Sequence, residues 1–496
     1  MLPFAEFAPD RADTDPAASD AIRNVLVQAK TYGPMPSLSA YSAALSERAR
    51  GGILARGTQG NYYFYAGISD NLYTLSGTSW DEKSKTTDTY NLASSDTWYF
   101  LQFGDTILAT NVGDPVQAIT AGAAGNFADL SGSPPQASYI GRAAGFVVLA
   151  GIANNPKRVQ WSAIEDATGW TAGTDLSDYQ DLPIPGFVTG IAGDETGAFI
   201  ATTSGWWRMT FLPGNRAVFR FDEIIPSSSK GDEVAAVIAP GSIVQYGGMV
   251  YYLSESGFAQ LDNRNPVPIG DERVDRFFLG DVDLDFLERV QGIADPVTKN
   301  IFWRYRSGNA EGGTGTTDKV LAYSVTMNRW SYIEIDLQGF VTATTPGYTM
   351  DELETTLSYA TVDSIPAALD SRQWKGGRPG LGGFGTDNTL GFFSGTPLEA
   401  VLETSDHIVG GEGRRAFVNG FRPVIDADGL YGQIGGKETH GDDRTWTGEA
   451  AQESHGLIPG MRDARLHRFR VRIPAATAWE HATGVEMPVG KRTGRF

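Results

Sequence analysis

A beat of aromatic and β-branched runs, spaced 40 to 52 residues apart, constrains this chain more than any other feature. Six runs carry it: Tyr62-Tyr63-Phe64-Tyr65, Thr106-Ile107-Leu108-Ala109, Phe146-Val147-Val148-Leu149, Ala198-Phe199-Ile200-Ala201, Val250-Tyr251-Tyr252-Leu253 and Ile301-Phe302-Trp303. Between Phe64, Ile107, Val147, Phe199, Tyr251 and Phe302 the intervals are 43, 40, 52, 52 and 51 residues. Gly, Asn, Asp and Pro fill the spaces, which is how strands separated by turns read. Each run is followed by a more amphipathic segment, giving a hairpin in every unit, among them Asn71-Leu72-Tyr73-Thr74-Leu75, Arg158-Val159-Gln160-Trp161, Trp206-Trp207-Arg208-Met209, Phe258-Ala259-Gln260-Leu261 and Val320-Leu321-Ala322-Tyr323. A third aromatic position often ends the unit: Trp80, Phe127, Trp170, Phe219 or Trp330.

About four short strands in each such period is the pattern of β-propeller blades. One four-stranded sheet cannot bury both faces, whereas sheets packed face to face around an axis can. The expected fold is all-β: propeller-like repeats of four-stranded blades over residues 46–400, an extended N-terminal arm over 1–45, and a C-terminal β-rich domain over 401–496. A large β-sandwich with decorated loops is the alternative.

Composition narrows the chemistry. The 496 residues include no cysteine, which excludes disulfides, thiolate metal sites and a cysteine nucleophile. Lys and Arg number 40 against 59 Asp and Glu, a formal charge of −19. Residues 401–496 hold 13 of each sign, so the first 400 residues carry the whole excess. Such a surface as a whole does not attract nucleic acid phosphates. The first 20 residues match neither a signal nor a transit peptide, and no apolar stretch reaches the roughly 20 residues that span a bilayer. The expectation is a soluble protein of a reducing compartment, without membrane contact.

Candidate catalytic and metal residues fail on spacing. All five histidines, His407, His440, His455, His467 and His481, lie in the last stretch at separations that place no ligand pair on one helix face or hairpin. Without a histidine in the first 406 residues, no Ser/His/Asp arrangement can be read there. Asp194-Glu195 and Asp222-Glu223 are adjacent, so on a strand they face opposite ways. Gly308, Gly312, Gly313 and Gly315 lack the Gly-Lys-Ser/Thr ending of a phosphate loop and read as a hairpin tip. Asp281, Asp283 and Asp285 alternate as calcium ligands do, but lack the glycine and terminal glutamate of an EF-hand; Asp275 to Val290 reads instead as a surface helix or a connector between blades. Trp206-Trp207 and Trp98-Tyr99-Phe100 can line a sugar groove, yet they occupy repeat positions that a blade core explains without a ligand. No catalytic, cofactor or metal residue is expected, and no enzyme activity.

The two ends differ from the middle. The arm contains Pro3, Pro9, Pro16, Pro34 and Pro36, with Asn24-Val25-Leu26-Val27 as a strand, and can add to a neighbour's sheet. Near the other end, Arg468-Phe469-Arg470-Val471-Arg472-Ile473 alternates strictly, with Arg462 and Arg465 upstream. These five arginines are the interaction candidates. They form either an electropositive strip for an acidic subunit surface or a nucleic acid backbone, or a sheet face with paired carboxylates.

Several segments resemble virion proteins of tailed bacteriophages. They are Trp98-Tyr99-Phe100-Leu101-Gln102-Phe103-Gly104-Asp105, Ile107-Leu108-Ala109-Thr110-Asn111, Phe127-Ala128-Asp129-Leu130, Pro134-Pro135 and Val159-Gln160-Trp161-Ser162. Asn24-Val25, Tyr32-Gly33-Pro34-Met35-Pro36, the Ile225-Pro226 to Lys230-Gly231 passage before Ala239-Pro240-Gly241-Ser242, and the ending Arg468 to Pro474 do the same. The chain is similar to the tail hub or nozzle proteins of short-tailed phages, also called packaged-DNA stabilisation proteins. The resemblance implies a propeller-like subunit of a homohexameric ring, assembled in the host cytoplasm into the virion tail. It implies portal adaptor and distal tail or fibre proteins as partners, and transient contact with double-stranded DNA leaving through the channel. A propeller that binds or degrades cell-surface glycans is the alternative function.

Overall fold

The computed structural model describes residues 1–12, 15, 17–58, 60–87, 89–224, 236–262, 265–311, 315–344, 379–411, 414–486 and 491–495, the last five by backbone only. The whole Ile225–Gly231 passage, Gly312 and Gly313, and Pro16 lie outside the described residues.

Each aromatic run of the beat is the second strand of a four-stranded antiparallel sheet: Tyr62–Gly67, Thr106–Asn111, Phe146–Ile152, Gly197–Thr202, Met249–Ser254 and Asn300–Tyr305. That position explains the composition. A second strand is flanked within its sheet and covered on both faces, so Phe146–Ile152, Gly197–Thr202 and Asn300–Tyr305 are buried throughout and read as continuous apolar runs. The amphipathic segments are the third strands, and the fourth lie outermost; Asp178–Asp181 is exposed along its whole length. These sheets are blades I to VI, over 52–82, 99–129, 137–181, 188–224, 244–268 and 291–337.

A seventh blade completes the set. Its strands are Gly339–Ala343, Gly380–Phe384, Thr389–Pro397 and, outermost, Pro36–Ala44. The last part of the segment read as a free arm is therefore a blade strand, and Ala400–Glu403 already belongs to the C-terminal sheets. Seven apolar clusters sit between consecutive blades. Tyr65, Trp98 and Ile107 join I to II; Leu108, Val147 and Leu149 join II to III; Val148, Ile200 and Met209 join III to IV. Phe199, Trp206 and Tyr252 join IV to V; Phe258, Trp303 and Trp330 join V to VI; Phe302, Ile333 and Phe340 join VI to VII. Phe64, Ala66, Val341 and Phe384 join VII back to I, closing the ring. These faces cover one another as successive blades, which overturns the sandwich alternative. Two buried indoles find backbone partners across the seams: Trp98 Nε1 donates to the Ile68 carbonyl (2.8 Å) and Trp303 Nε1 to that of Ser242 (3.0 Å).

The innermost strands of blades III and IV approach each other closely. A Cβ on Gly193 would lie 1.7 Å from the carbonyl oxygen of Arg142 in the preceding blade, so only glycine fits there. Between blades V and VI run a short α-helix, Asp275–Asp281, and a 3-10 turn, Leu284–Arg289, in the place read as a connector.

The remaining strands of the arm pair within this chain. Leu2–Pro3 and Thr31–Pro34 both join Ala482–Glu486, and Arg23 bridges Tyr332 of blade VI and Val401. The C-terminal domain is two sheets, one built on Arg414–Ile425 and the other on Leu466–Ile473. They meet through Phe421 and Phe469, whose ring centroids are 5.1 Å apart. Arm, C-terminal domain and blades V and VI share one apolar cluster.

Candidate functional site

Strand alternation places Phe469, Val471 and Ile473 in the core and Arg468, Arg470 and Arg472 on the opposite face, as their spacing dictates. That face is not a free electropositive strip. Arg468 is 1% exposed and lies 3.1 Å from Asp406 and 3.5 Å from Glu403. Glu403 also accepts from Arg470, and from the Ser19 hydroxyl of the arm at 3.1 Å. Asp406 accepts two hydrogen bonds from Arg444, at 2.7 and 2.9 Å, and pairs with the buried Lys437 at 3.0 Å. Arg472 bridges Glu399 (3.1 Å) and Glu449 (2.7 Å); these contacts hold its guanidinium above, and the Glu449 carboxyl below, their usual ranges. Arg470 and Arg472 cover the rings of Trp446 and Tyr431. Arg462 and Arg465 are half-buried, and their Nε atoms have no hydrogen-bond partner among the described residues. Carboxylates from strands far away in sequence thus absorb the strip, because an unpaired guanidinium cannot be buried at acceptable cost.

Spacing gives no hint of one histidine pair. His407 and His467 face each other as an antiparallel bridge, each amide donating to the other's carbonyl at 2.8 and 2.9 Å. Burial pushes both imidazoles below their ordinary value. Among the described residues, no group of three His, Asp or Glu could hold a metal ion. Asp281 binds Lys319 at 2.8 Å and Tyr305 at 2.9 Å, while Asp283 pairs with Arg306, so two of the alternating aspartates are engaged in ion pairs. Trp98 and Trp206 are buried in seams, and Trp207 lines a shallow pocket beside Phe219 and Arg220.

A second cluster of cations lies at the end of the propeller axis where the innermost strands begin. Arg48 and Arg50 precede the first strand of blade I, and Arg289 precedes that of blade VI. They line a pocket of about 550 Å3 with Ser94 of blade II and with Gln338 and Thr386 of blade VII. Arg48 and Arg289 both donate to the Ser94 carbonyl, at 3.5 and 3.2 Å, which draws together blades that are not neighbours in the ring. Arg304 lies buried nearby, hydrogen-bonded to Gln291 and Thr317. No sequence signal marks this cluster, because Arg48 and Arg50 meet Arg289 and Arg304 only through the fold, from distant parts of the chain.

No protein-family model matches the sequence, and no curated protein matches it. Among solved structures, the chain is similar to the extracellular domain of a putative hybrid two-component system from B. thetaiotaomicron, at 11% identity and a TM-score of 0.40. The match covers 80% of this chain and 45% of that one, so this chain spans less than half its length. A likeness at that level carries no functional information.

Proposed function

We propose that the chain is a structural virion protein, a ring-forming tail hub or nozzle subunit of a short-tailed phage. In this reading, copies of the chain extend the portal-adaptor channel, retain packaged DNA and conduct it during ejection. One observation carries the reading: among the described residues, several of the segments that resemble that family supply residues to the seams between blades. Trp98, Ile107, Ala109 and Phe127 belong to the cluster between blades I and II, and Val159 and Trp161 to that between III and IV. Residues given over to stiffening a wall fit a subunit that bears load rather than one that turns over a substrate. Charge is compatible with the role. A wall that grips phosphates slows passing DNA, and here the net charge is −19 while the C-terminal arginine strip is occupied by carboxylates of its own chain.

The test is the mass and symmetry of the purified full chain in solution and on particles. A sixfold ring that incorporates into virions beneath the portal supports the proposal. A monomer that binds or cleaves a cell-surface glycan overturns it in favour of the glycan reading.

A further inference from the structure

We propose that the arginine pocket at the mouth of the propeller axis is a binding site for a small oxyanion bearing phosphate or carboxylate groups. The inference does not depend on ring assembly.

Cations are placed together here, and among the described residues the lining carboxylates Glu311 and Asp336 form no ion pair with them. Arg48, Arg50 and Arg289 converge from blades I and VI, with Arg304 behind them, in a chain with an excess of 19 acidic groups. Arg289 is 8% exposed, and among the described residues neither its Nε nor that of Arg50 makes a hydrogen bond. The acceptors that do reach the cluster are mostly neutral: the carbonyls of Leu92, Ala93 and Ser94, and the side chains of Gln291 and Thr317. Among the described residues, one carboxylate pairs with the cluster, Glu288, at 3.6 Å from that Arg289 Nε. Glu311 and Asp336 stand on the lining, but burial and Asp318 hold the Asp336 carboxyl above its usual value, the reverse of what an arginine partner does. Burial and mutual repulsion push Arg48 down to about 10 and Arg304 to about 9, as expected of cations short of counter-charge.

Guanidinium groups around a pocket of this size match an anion that accepts several hydrogen bonds at once, since planar forks pair best with carboxylate and phosphate oxygens. The neutral lining residues Ser94, Gln338 and Thr386 add a polar rim. The axis is too crowded at this level for a duplex, because Arg289 of blade VI already reaches Ser94 of blade II.

The experiment titrates the full chain with inorganic phosphate, pyrophosphate and citrate by calorimetry and thermal melting, against chloride at matched ionic strength. Saturable binding, with a rise in Tm beyond that in chloride, is expected. Tighter binding of pyrophosphate assigns the site to phosphates, and tighter binding of citrate to carboxylates. Arg48→Gln is expected to weaken binding about tenfold or more while melting no lower than wild type, because it relieves repulsion. Arg48→Glu supplies the missing anion covalently, and is expected to raise Tm and abolish binding. No saturable binding of any of the three anions overturns the proposal, as does an Arg48→Glu variant that melts below wild type.

Discussion

The propeller and the C-terminal domain solve the same problem, covering the faces of β-sheets, in opposite ways. In blades I to VI every strand pairs with its sequence neighbour, and the seams are aromatic and aliphatic. In the C-terminal domain the order Ile458–Ala464, Arg414–Ile425, Ala482–Glu486, Thr31–Pro34 spans nearly the whole chain, and one sheet face is sealed by ion pairs. Local pairing with apolar seams makes each blade a near-independent unit that few long loops must close before it forms. Non-local pairing with buried charge makes the C-terminal domain depend on the arm, which supplies strands to both regions. The arm is thus the tie between them.

That comparison is broken most directly by removing the tie. Deletion of residues 1–44 strips the outer strand from blade VII, the Leu2–Pro3 and Thr31–Pro34 strands from the C-terminal sheet, and Phe4, Phe7 and Ile22 from the largest core cluster. The expected outcome is loss of the single cooperative melt, with the C-terminal domain lost first. An unaltered calorimetric transition would mean that the arm is an accessory.

The two kinds of seam are next separated by single substitutions of similar expected size and different cause. Trp303→Ala empties a fully buried site between blades V and VI and is expected to cost about 3–5 kcal/mol through lost burial and a cavity. Glu403→Gln leaves Arg468, Arg470 and Ser19 facing a neutral amide, and is expected to cost about 3 kcal/mol because the buried charge loses one of its carboxylate partners. Denaturant melts of both variants check the sizes. Replacing the carboxylate without effect would mean that Asp406, with Asp20 at 3.7 Å, suffices to hold Arg468.

How far each region could be read from its residues follows from the same contrast. Six second strands announce themselves because burial on both faces makes them continuous apolar runs. Blade VII does not, because its second strand is Gly-Leu-Gly-Gly-Phe and its fourth lies about 350 residues upstream in Pro36–Ala44. The alternation of Arg468 to Ile473 was legible as a two-faced strand, but its carboxylate partners were not, since Glu403, Asp406 and Glu449 arrive from other strands and loops. The axis arginines were invisible for the same reason. Periodicity reports what a strand does along its own length, and says nothing about which loops meet in space.

A smaller effect, with a definite dependence on pH, sits on the helix linking blades V and VI. Asp275 is buried, accepts from the Phe258 amide at 2.9 Å, and has its carboxyl pushed up to about 7, chiefly by burial and further by Asp10 and Asp271. Between about pH 4 and 7 the folded chain therefore holds a proton that the unfolded chain has released, so this group's contribution to stability falls as pH rises and levels off above 7. Asp275→Asn keeps the acceptor and removes the charge. It is expected to raise stability by about 2 kcal/mol at pH 8 and by little at pH 4. A variant that gains equally at both values would show that the charge is not the cause.

The smallest expected effect tests where the ion network stops mattering. Arg472 lies on the same strand face as Arg468 but is 26% exposed, with Glu399 and Glu449 at 40% and 38%. Water screens such pairs, and fixing two long side chains offsets much of the attraction, so Arg472→Ala is expected to cost less than about 1 kcal/mol. What it loses includes the cover on Tyr431, so Arg472→Met, which keeps the apolar stem, is expected to recover part of the loss. Added salt should narrow the gap between wild type and Arg472→Ala while leaving that of Glu403→Gln unchanged, because only the solvent-facing pair is open to screening. A cost for Arg472→Ala as large as that of Glu403→Gln would mean that the strand acts as one charged unit from end to end, and the distinction between its buried and exposed arginines would fail.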